Sequence, residues 1–138
     1  MSDRLRKVDY FHVMIPNTAG QASKIAGGLA DAGVNLLAFS GFPSGKMTQL
    51  DLMPEDSGKL KRGSERTRAA SCRQGSPASV TRATTGSARC REVFDKLADA
   101  KINLIAVDAV SSGKGRFGAI FWVKPEAVAK TAKLLGAK

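Results

Sequence analysis

Few side chains in this sequence have the types and spacing that chemistry requires. His12 is the only histidine. It sits in an apolar run, VDYFHVMI at 8–15, without a partner acid or thiol beside it, and reads as a core or sheet-face histidine rather than a general base. Asp51 and Asp108 fall on expected strands in different halves of the chain, with no spacing that makes a carboxylate pair. Gly113-Lys114-Gly115-Arg116-Phe117-Gly118 formally matches G-x-G-x-x-G. A dinucleotide site needs that motif between a strand and a helix, with an acid further on. Here it joins two expected strands, so it reads as a hairpin turn. No Ser-His-Asp, Cys-His or metal-ligand pattern occurs, so the sequence predicts no enzyme, no cofactor and no metal. What remains is a helix-entry loop, Asn17-Thr18-Ala19-Gly20-Gln21. Its side-chain oxygens can cap a starting helix, and its glycine permits an unusual or closely approached backbone.

The elements that position this loop are used twice. Residues 29–38 (LADAGVNLLA) and 97–106 (LADAKINLIA) are identical at seven of ten positions, at an offset of 68. Ser44-Gly45-Lys46 and Ser112-Gly113-Lys114 continue the likeness. Such a repeat is one supersecondary unit used twice. In the first copy the β-branched and aromatic run 8–15 predicts a strand. Ile25, Leu29 and Ala32 mark one helical face, and Gly33 a left-handed helix end. Strands follow at 34–40 and 47–53 around a turn at Pro43-Ser44-Gly45, and Pro54-Glu55-Asp56 starts a second helix. In the second copy the order recurs: helix 92–100, strand 102–110, turn 111–115, strand 116–123. A last helix starts at Pro125, with Val128, Ala132 and Leu135 inward. Strand–helix–strand–strand–helix, with helices crossing one face, is an α+β sandwich.

The middle of the chain departs from this pattern. Residues 61–91 contain no Ile, Leu, Met, Phe, Trp or Tyr and a single valine, Val80. The first strand of the second copy belongs near 76–83, where SPASVTRA stands. Taken as written, the segment is a disordered basic linker, because it has too little apolar surface to offset the entropy of ordering. Residues 59–91 hold nine basic residues against Glu65, which is +8 of the net +10. The high pI therefore belongs to this segment alone. Cys72 and Cys90 also lie here and are poor evidence for a disulfide or metal site. A second explanation stands beside the linker: a compensated frameshift. Residues 83–90, read one nucleotide earlier, permit Gly-Asp-Asp-Arg-Val-Gly-Ala-Val, which restores a glycine at position 88, the equivalent of Gly20. The coding DNA distinguishes the two. The start MSDRLRKVDYFHV lacks the apolar run of a signal peptide, and no stretch reaches the ~18 apolar residues of a membrane span. Cytoplasmic localisation is expected.

With PNTAGQASKIAGGLADAGVNLLAFS at 16–40 and EVFDKLADAKINLIAVDAV at 92–110, the chain resembles the ACT domain, a small ligand-sensing module. More closely it is similar to small stand-alone bacterial proteins of two tandem ACT repeats, through VDYF, GVNLLAFSGFPSG, LADAKINLIAVDAV and GRFGAIFWVKPE. The likeness covers 7–60 and 92–136. It implies two ferredoxin-like βαββαβ repeats, at 7–60 and in the remainder 92–136, forming an antiparallel sheet with helices on one face. It also implies a regulatory role, binding a small amino-acid-like ligand between units. A carboxylate would lie on the backbone amides of the glycine loop, at a helix N-terminus. Carried onto matching positions, the ligand contacts are Asn17, Thr18, Ala19, Gly20 and Gln21, then Val34, Asn35, Leu36 and Leu37, with Ile102, Asn103, Leu104 and Ile105 in the second repeat. Loop 84–88 departs from the motif, which puts one of the two expected pockets in doubt. Asn35 and Asn103 also suit plain strand-start turns. Units of this kind pair side by side, so a homodimer through sheet edges is the expected assembly.

An alternative belongs to another class. RNA-recognition domains share this order of elements, and KGRFGAIF (114–121) has a faint likeness to their stacking motif. With 61–91 as a phosphate-binding arm, such a protein would bind nucleic acid non-specifically. Ala119 stands where the second stacking aromatic belongs, so nucleic acid is the disfavoured partner.

Overall fold

The computed structural model describes residues 4–67, 73–74, 78–83, 86–114 and 116–137. Along the chain run β1 (Arg4–Val8), β2 (Phe11–Pro16), α1 (Gln21–Asp31), β3 (Leu36–Ser44), β4 (Met47–Pro54) and α2 (Ser57–Thr67). These are followed by β5 (Arg73–Gln74), β6 (Ala78–Ala83), α3 (Gly86–Asp99), β7 (Ala106–Gly113) and β8 (Arg116–Trp122). A 3-10 turn at Pro125–Ala127 leads into α4 (Val128–Leu135). The chain divides into two units, Asp9–Gly75 and Met1–Val8 with Ser76–Lys138.

In the first unit the sheet order is β3-β4-β2-β5, all antiparallel. Alternation along β2 buries Phe11, Val13 and Ile15 on one face, and Leu50 and Leu52 of β4 join them. Ile25 of α1 and Leu60 of α2 close this core, with Val34 at the end of the α1 turn. Each such side chain contributes about 1.5–3 kcal/mol by leaving water. Gly63 of α2 allows the two helices to approach closely: a Cβ there would stand 2.8 Å from the Ala32 Cβ.

The second unit has the same topology with a different chain path. Its sheet order is β1-β6-β8-β7, again antiparallel. The fourth strand of this ferredoxin-like unit is thus the N-terminal strand β1, and the first unit is inserted between β1 and β6. The core of Val93, Leu97, Ile102 and Val128 repeats the positions of Ile25, Leu29, Val34 and Leu60 at the offset of 68. The helix ends repeat as well. Gly33 N–H donates to the Ala30 carbonyl and Val34 N–H to that of Leu29, at 3.0 and 2.9 Å. Lys101 and Ile102 do the same to Ala98 and Leu97 at 2.9 and 2.8 Å.

Several expectations are corrected. The run 8–15 is not one strand: β1 ends at Val8, β2 starts at Phe11, and the two belong to different sheets. Asn17 and Thr18 do not cap α1. Its N-cap is Gly20, with no side-chain cap, and the Asn17 Oδ1 instead accepts a hydrogen bond from Thr48 Oγ1 at 3.1 Å. Strand β3 starts two residues later than expected and runs through Ser44, leaving the turn to Gly45 and Lys46. In the basic stretch 61–91 the described residues carry the end of α2, β5, β6 and the start of α3 rather than an unstructured linker. The reason is position. Strand β6 lies between β1 and β8, so its backbone is paired on both sides without an apolar sequence of its own. The frameshift reading concerns residues that are partly outside the described set.

Candidate functional site

Loop 17–21 follows the end of β2 and turns the chain into α1. Gly20 adopts φ 88°, a left-handed conformation that side chains strain to reach. The Thr18 N–H donates to the Pro16 carbonyl at 2.9 Å and Lys24 N–H to that of Gly20 at 3.1 Å. Asn17 through Gly20 are exposed and Gln21 is half-buried. No side chain caps the amides of the first turn, and no acid stands in that turn. The result is a solvent-facing helix start with its partial positive charge uncompensated, suited to an anion.

The second set of expected contacts lies elsewhere. Val34 is a core residue at 7% exposure, and Leu36 packs against the same core. Asn35 is exposed: its carbonyl accepts the Glu55 N–H at 2.9 Å, and its side-chain amide donates to Glu55 Oε2 at 3.5 Å. Leu37 is half-buried. In the second unit Ile102 is buried in the core, Leu104 packs against it, Asn103 is exposed, and Ile105 is 57% exposed. The Ile105 N–H donates to the Trp122 carbonyl at 2.8 Å. The side chains of Val34, Leu36, Ile102 and Leu104 thus serve their cores. Asn35, Leu37, Asn103, Ile105 and the backbone are what these segments offer a ligand.

Register places the two sets of contacts in the first unit at opposite ends of the sheet. Asn17 follows the Pro16–Met47 pair, whereas Asn35 precedes the Leu36–Pro54 pair. Met47 to Pro54 spans about 23 Å at ~3.3 Å per residue. A single unit does not bring the loop and the second-strand start together. The expected loop of the second repeat, 84–88, falls partly outside the described residues.

Sequence reasoning missed a polar cluster on the other face of the first unit's sheet. Asp51 of β4 is only 5% exposed. It accepts hydrogen bonds from the Tyr10 hydroxyl at 3.1 Å and the Gln49 amide at 2.8 Å. The same amide donates to the Tyr10 oxygen at 3.3 Å. Burial, then the Asp51 charge and hydrogen bond, push the Tyr10 phenol up to about 12. His12 pairs with Asp51 across the strands, and its ring lies 6.0 Å from that of Tyr10. Its buried Nδ1 has no hydrogen-bond partner among the described residues. The alternation of Gln49, Asp51 and Met53 along β4 was the available signal for this face.

In the second unit a groove of about 530 Å³ lies against α3 and β8, lined by Cys90, Arg91, Phe94, Asp95 and Phe117. Arg91 Nε and Asp95 Oδ2 are 3.5 Å apart and largely exposed. Burial pushes the Cys90 thiol up, away from reactivity. In the motif 114–121 that resembles RNA-recognition domains, Phe121 and Ala119 are buried, at 1% and 6% exposure, and Phe117 is half-buried. β8 therefore presents no stacking platform of those residues. Among the described residues no three His, Cys, Asp or Glu side chains form a metal-binding group, and no helix is long and apolar enough to cross a membrane.

No protein-family model matches the sequence, and comparison with curated proteins gives no match. Solved structures do match. A Bacteroides thetaiotaomicron protein of 11% identity superposes with a TM-score of 0.79, covering 97% of this chain and 88% of its own. The ligand-free regulatory subunit of aspartate kinase from Thermus thermophilus follows at 13% identity and TM-score 0.63, covering 99% and 95%. The Thermus flavus regulatory subunit is similar at 14% and 0.61, covering 98% and 94%. The fold, two ferredoxin-like units, is that of these regulatory subunits. Both units carry the 4-1-3-2 strand order of the ferredoxin-like sandwich, the second one completed by β1.

Proposed function

We propose that this tandem ACT protein is a non-catalytic, cytoplasmic regulator that binds a small amino-acid-like ligand. The reading rests on the start of α1, an uncapped and acid-free helix N-terminus behind a left-handed glycine. The ligand carboxylate lies on those amides, beside Asn17, Thr18, Ala19, Gly20 and Gln21. The rest of the ligand is covered by a second-strand start, Val34–Leu37 or Ile102–Ile105, through Asn35, Leu37, Asn103 or Ile105. Because the two sets stand about 23 Å apart within the first ACT unit, a complete site takes its two halves from different units. Regulatory subunits of aspartate kinase among the structural neighbours support the regulatory role by analogy of fold.

The outer strands support a homodimer. Strands β3 and β7 are edges; β3 exposes Phe39 and Phe42, β7 exposes Val107 and Val110, and Ile105 just before β7 is exposed as well. The opposite edges are guarded: β5 has two residues, and β1 exposes Arg6 and Lys7. Unguarded apolar edges suit pairing with a second copy.

A thermal-shift screen of the full chain against the twenty amino acids tests the ligand. At a hundredfold excess over Kd, a binder adds about 2.7 kcal/mol, a Tm rise of several degrees. Gly20→Val should abolish the rise. Absence of any shift across the set would overturn the amino-acid reading.

A further inference from the structure

We propose that the groove between α3 and β8 of the second unit binds a small aromatic monocarboxylate, its ring against Phe94 and Phe117 and its carboxylate on Arg91. The groove belongs to a different unit from loop 17–21 and does not rest on the amino-acid reading.

This corner is where the two copies of the repeat differ in chemistry. At the offset of 68, Cys90, Arg91, Phe94 and Asp95 of α3 stand where α1 has Ala22, Ser23, Ala26 and Gly27. The strands differ in the same place. In the first unit Ile15 pairs with Thr48; Ile15 fills the core at 6% exposure, and the Thr48 hydroxyl donates to Asn17. In the second unit the corresponding pair is Ala83 with Phe117. A small residue thus takes the register position of a core isoleucine, and a ring takes that of a threonine. With the same framework, the second unit has a groove of about 530 Å³ at this corner. Small-molecule sites run to ~300–1,000 Å³.

The lining selects the ligand. Phe94 packs against the core and is half-buried, as is Phe117, so both rings are held at the wall. Two such rings favour a third in offset or edge-to-face contact, beyond what area alone provides. Cys90 adds little polarity, because burial raises its thiol pKa and keeps it uncharged.

Among the described lining residues Arg91 is the one cation. Its pairing with Asp95 is weak: Nε and Oδ2 are 3.5 Å apart and both side chains are largely exposed. Arg before Asp at i,i+4 is also the less favourable order in a helix. The terminal guanidinium nitrogens carry further N–H donors, a planar fork that takes a carboxylate bidentately. Asp95 opposes a second negative charge, so one carboxylate suits the groove and two do not.

Titration of the full chain with phenylacetate, followed by amide NMR, tests the site. Phenylacetate should shift the amides of Cys90–Asp95 and Phe117 saturably. Uncharged phenylacetamide should bind about fivefold more weakly, the scale of an exposed ionic contact. Arg91→Gln should bring phenylacetate down to the affinity of phenylacetamide and leave phenylacetamide unchanged. Asp95→Asn, which releases the guanidinium, should tighten phenylacetate. Both substitutions fall on exposed positions and leave the core intact. Equal binding of the two probes, no saturable shift in α3 and β8, or weaker phenylacetate binding in Asp95→Asn would each overturn the proposal. Because the shifts are read on α3 and β8, failure here leaves the amino-acid reading of loop 17–21 standing, and the reverse holds.

Discussion

Lys101 occupies a backbone conformation that its repeat mate meets with glycine. It has φ 57° where Gly33 has φ 69°, and both close the same pair of helix-end hydrogen bonds. A side chain in the left-handed region costs about 1–2 kcal/mol. Glycine gives back part of the gain, about 0.5–1 kcal/mol, as added freedom of the unfolded chain. Lys101 is exposed, so removing its side chain removes little packing. Lys101→Gly should therefore stabilise the chain by about 0.5–1 kcal/mol, a Tm rise of about 2–4 °C for a chain of this size. The mirror substitution Gly33→Lys should destabilise it by a similar amount. Thermal unfolding followed by circular dichroism compares both with Lys101→Ala, which keeps the Cβ and the strain. If Lys101→Gly melts no higher than Lys101→Ala, the left-handed strain at this cap is not what limits the second unit.

Three further outcomes follow from packing and titration. Gly63→Ala should cost about 1–3 kcal/mol in chemical denaturation despite alanine's better helix propensity, because its Cβ would meet the Ala32 Cβ at 2.8 Å. A neutral result would mean the helices separate freely. Thr131 of α4 is 1% exposed and its Oγ1 has no partner among the described residues. Thr131→Val, of the same shape, should raise stability by about 1 kcal/mol, and Thr131→Ala should lower it; a loss in both would reveal a partner for the hydroxyl. The raised Tyr10 pKa favours the neutral phenol in the folded chain. Its stabilisation is complete below pH 10 and is lost as pH rises toward about 12. Half exposure screens this to about 1 kcal/mol. Melting curves across that interval should lose this slope in Tyr10→Phe.

The parts of the fold that the sequence carried were those set by local pattern. Ile25, Leu29 and Val34, with their mates Val93, Leu97 and Ile102, announce two copies of one helix and its cap, and both copies pack as the spacing requires. What was not legible depends on partners distant in the chain. VDYFHVMI has no glycine or proline to divide it, yet Asp9 and Tyr10 are taken by Ser57 and Asp51, 48 and 41 residues away. ASVTRA (78–83) is poor in apolar residues and forms β6 because β1 and β8 pair with it on both sides. Asn17 has the chemistry of a helix cap, but Thr48, 31 residues on, engages it first. That competition is what leaves the start of α1 open to a ligand.

The same division explains the candidate site. Motif resemblance selected segments, and within each segment the alternation of the strand decides which residues are available. Val34 and Leu36 face the core that holds α1 and α2, so neither can turn to a ligand without opening that core. Asn35 is free of the core but engaged with Glu55, two residues before α2 begins. Any ligand that draws on Asn35 must therefore compete with a contact that helps place the start of that helix. A binding segment tied in this way to a helix start gives occupancy a structural consequence, which a regulatory module needs. Loop 17–21 is itself the start of α1, with Gly20 as its N-cap and Asn17 held by Thr48, so a carboxylate anchored there meets the helix end directly.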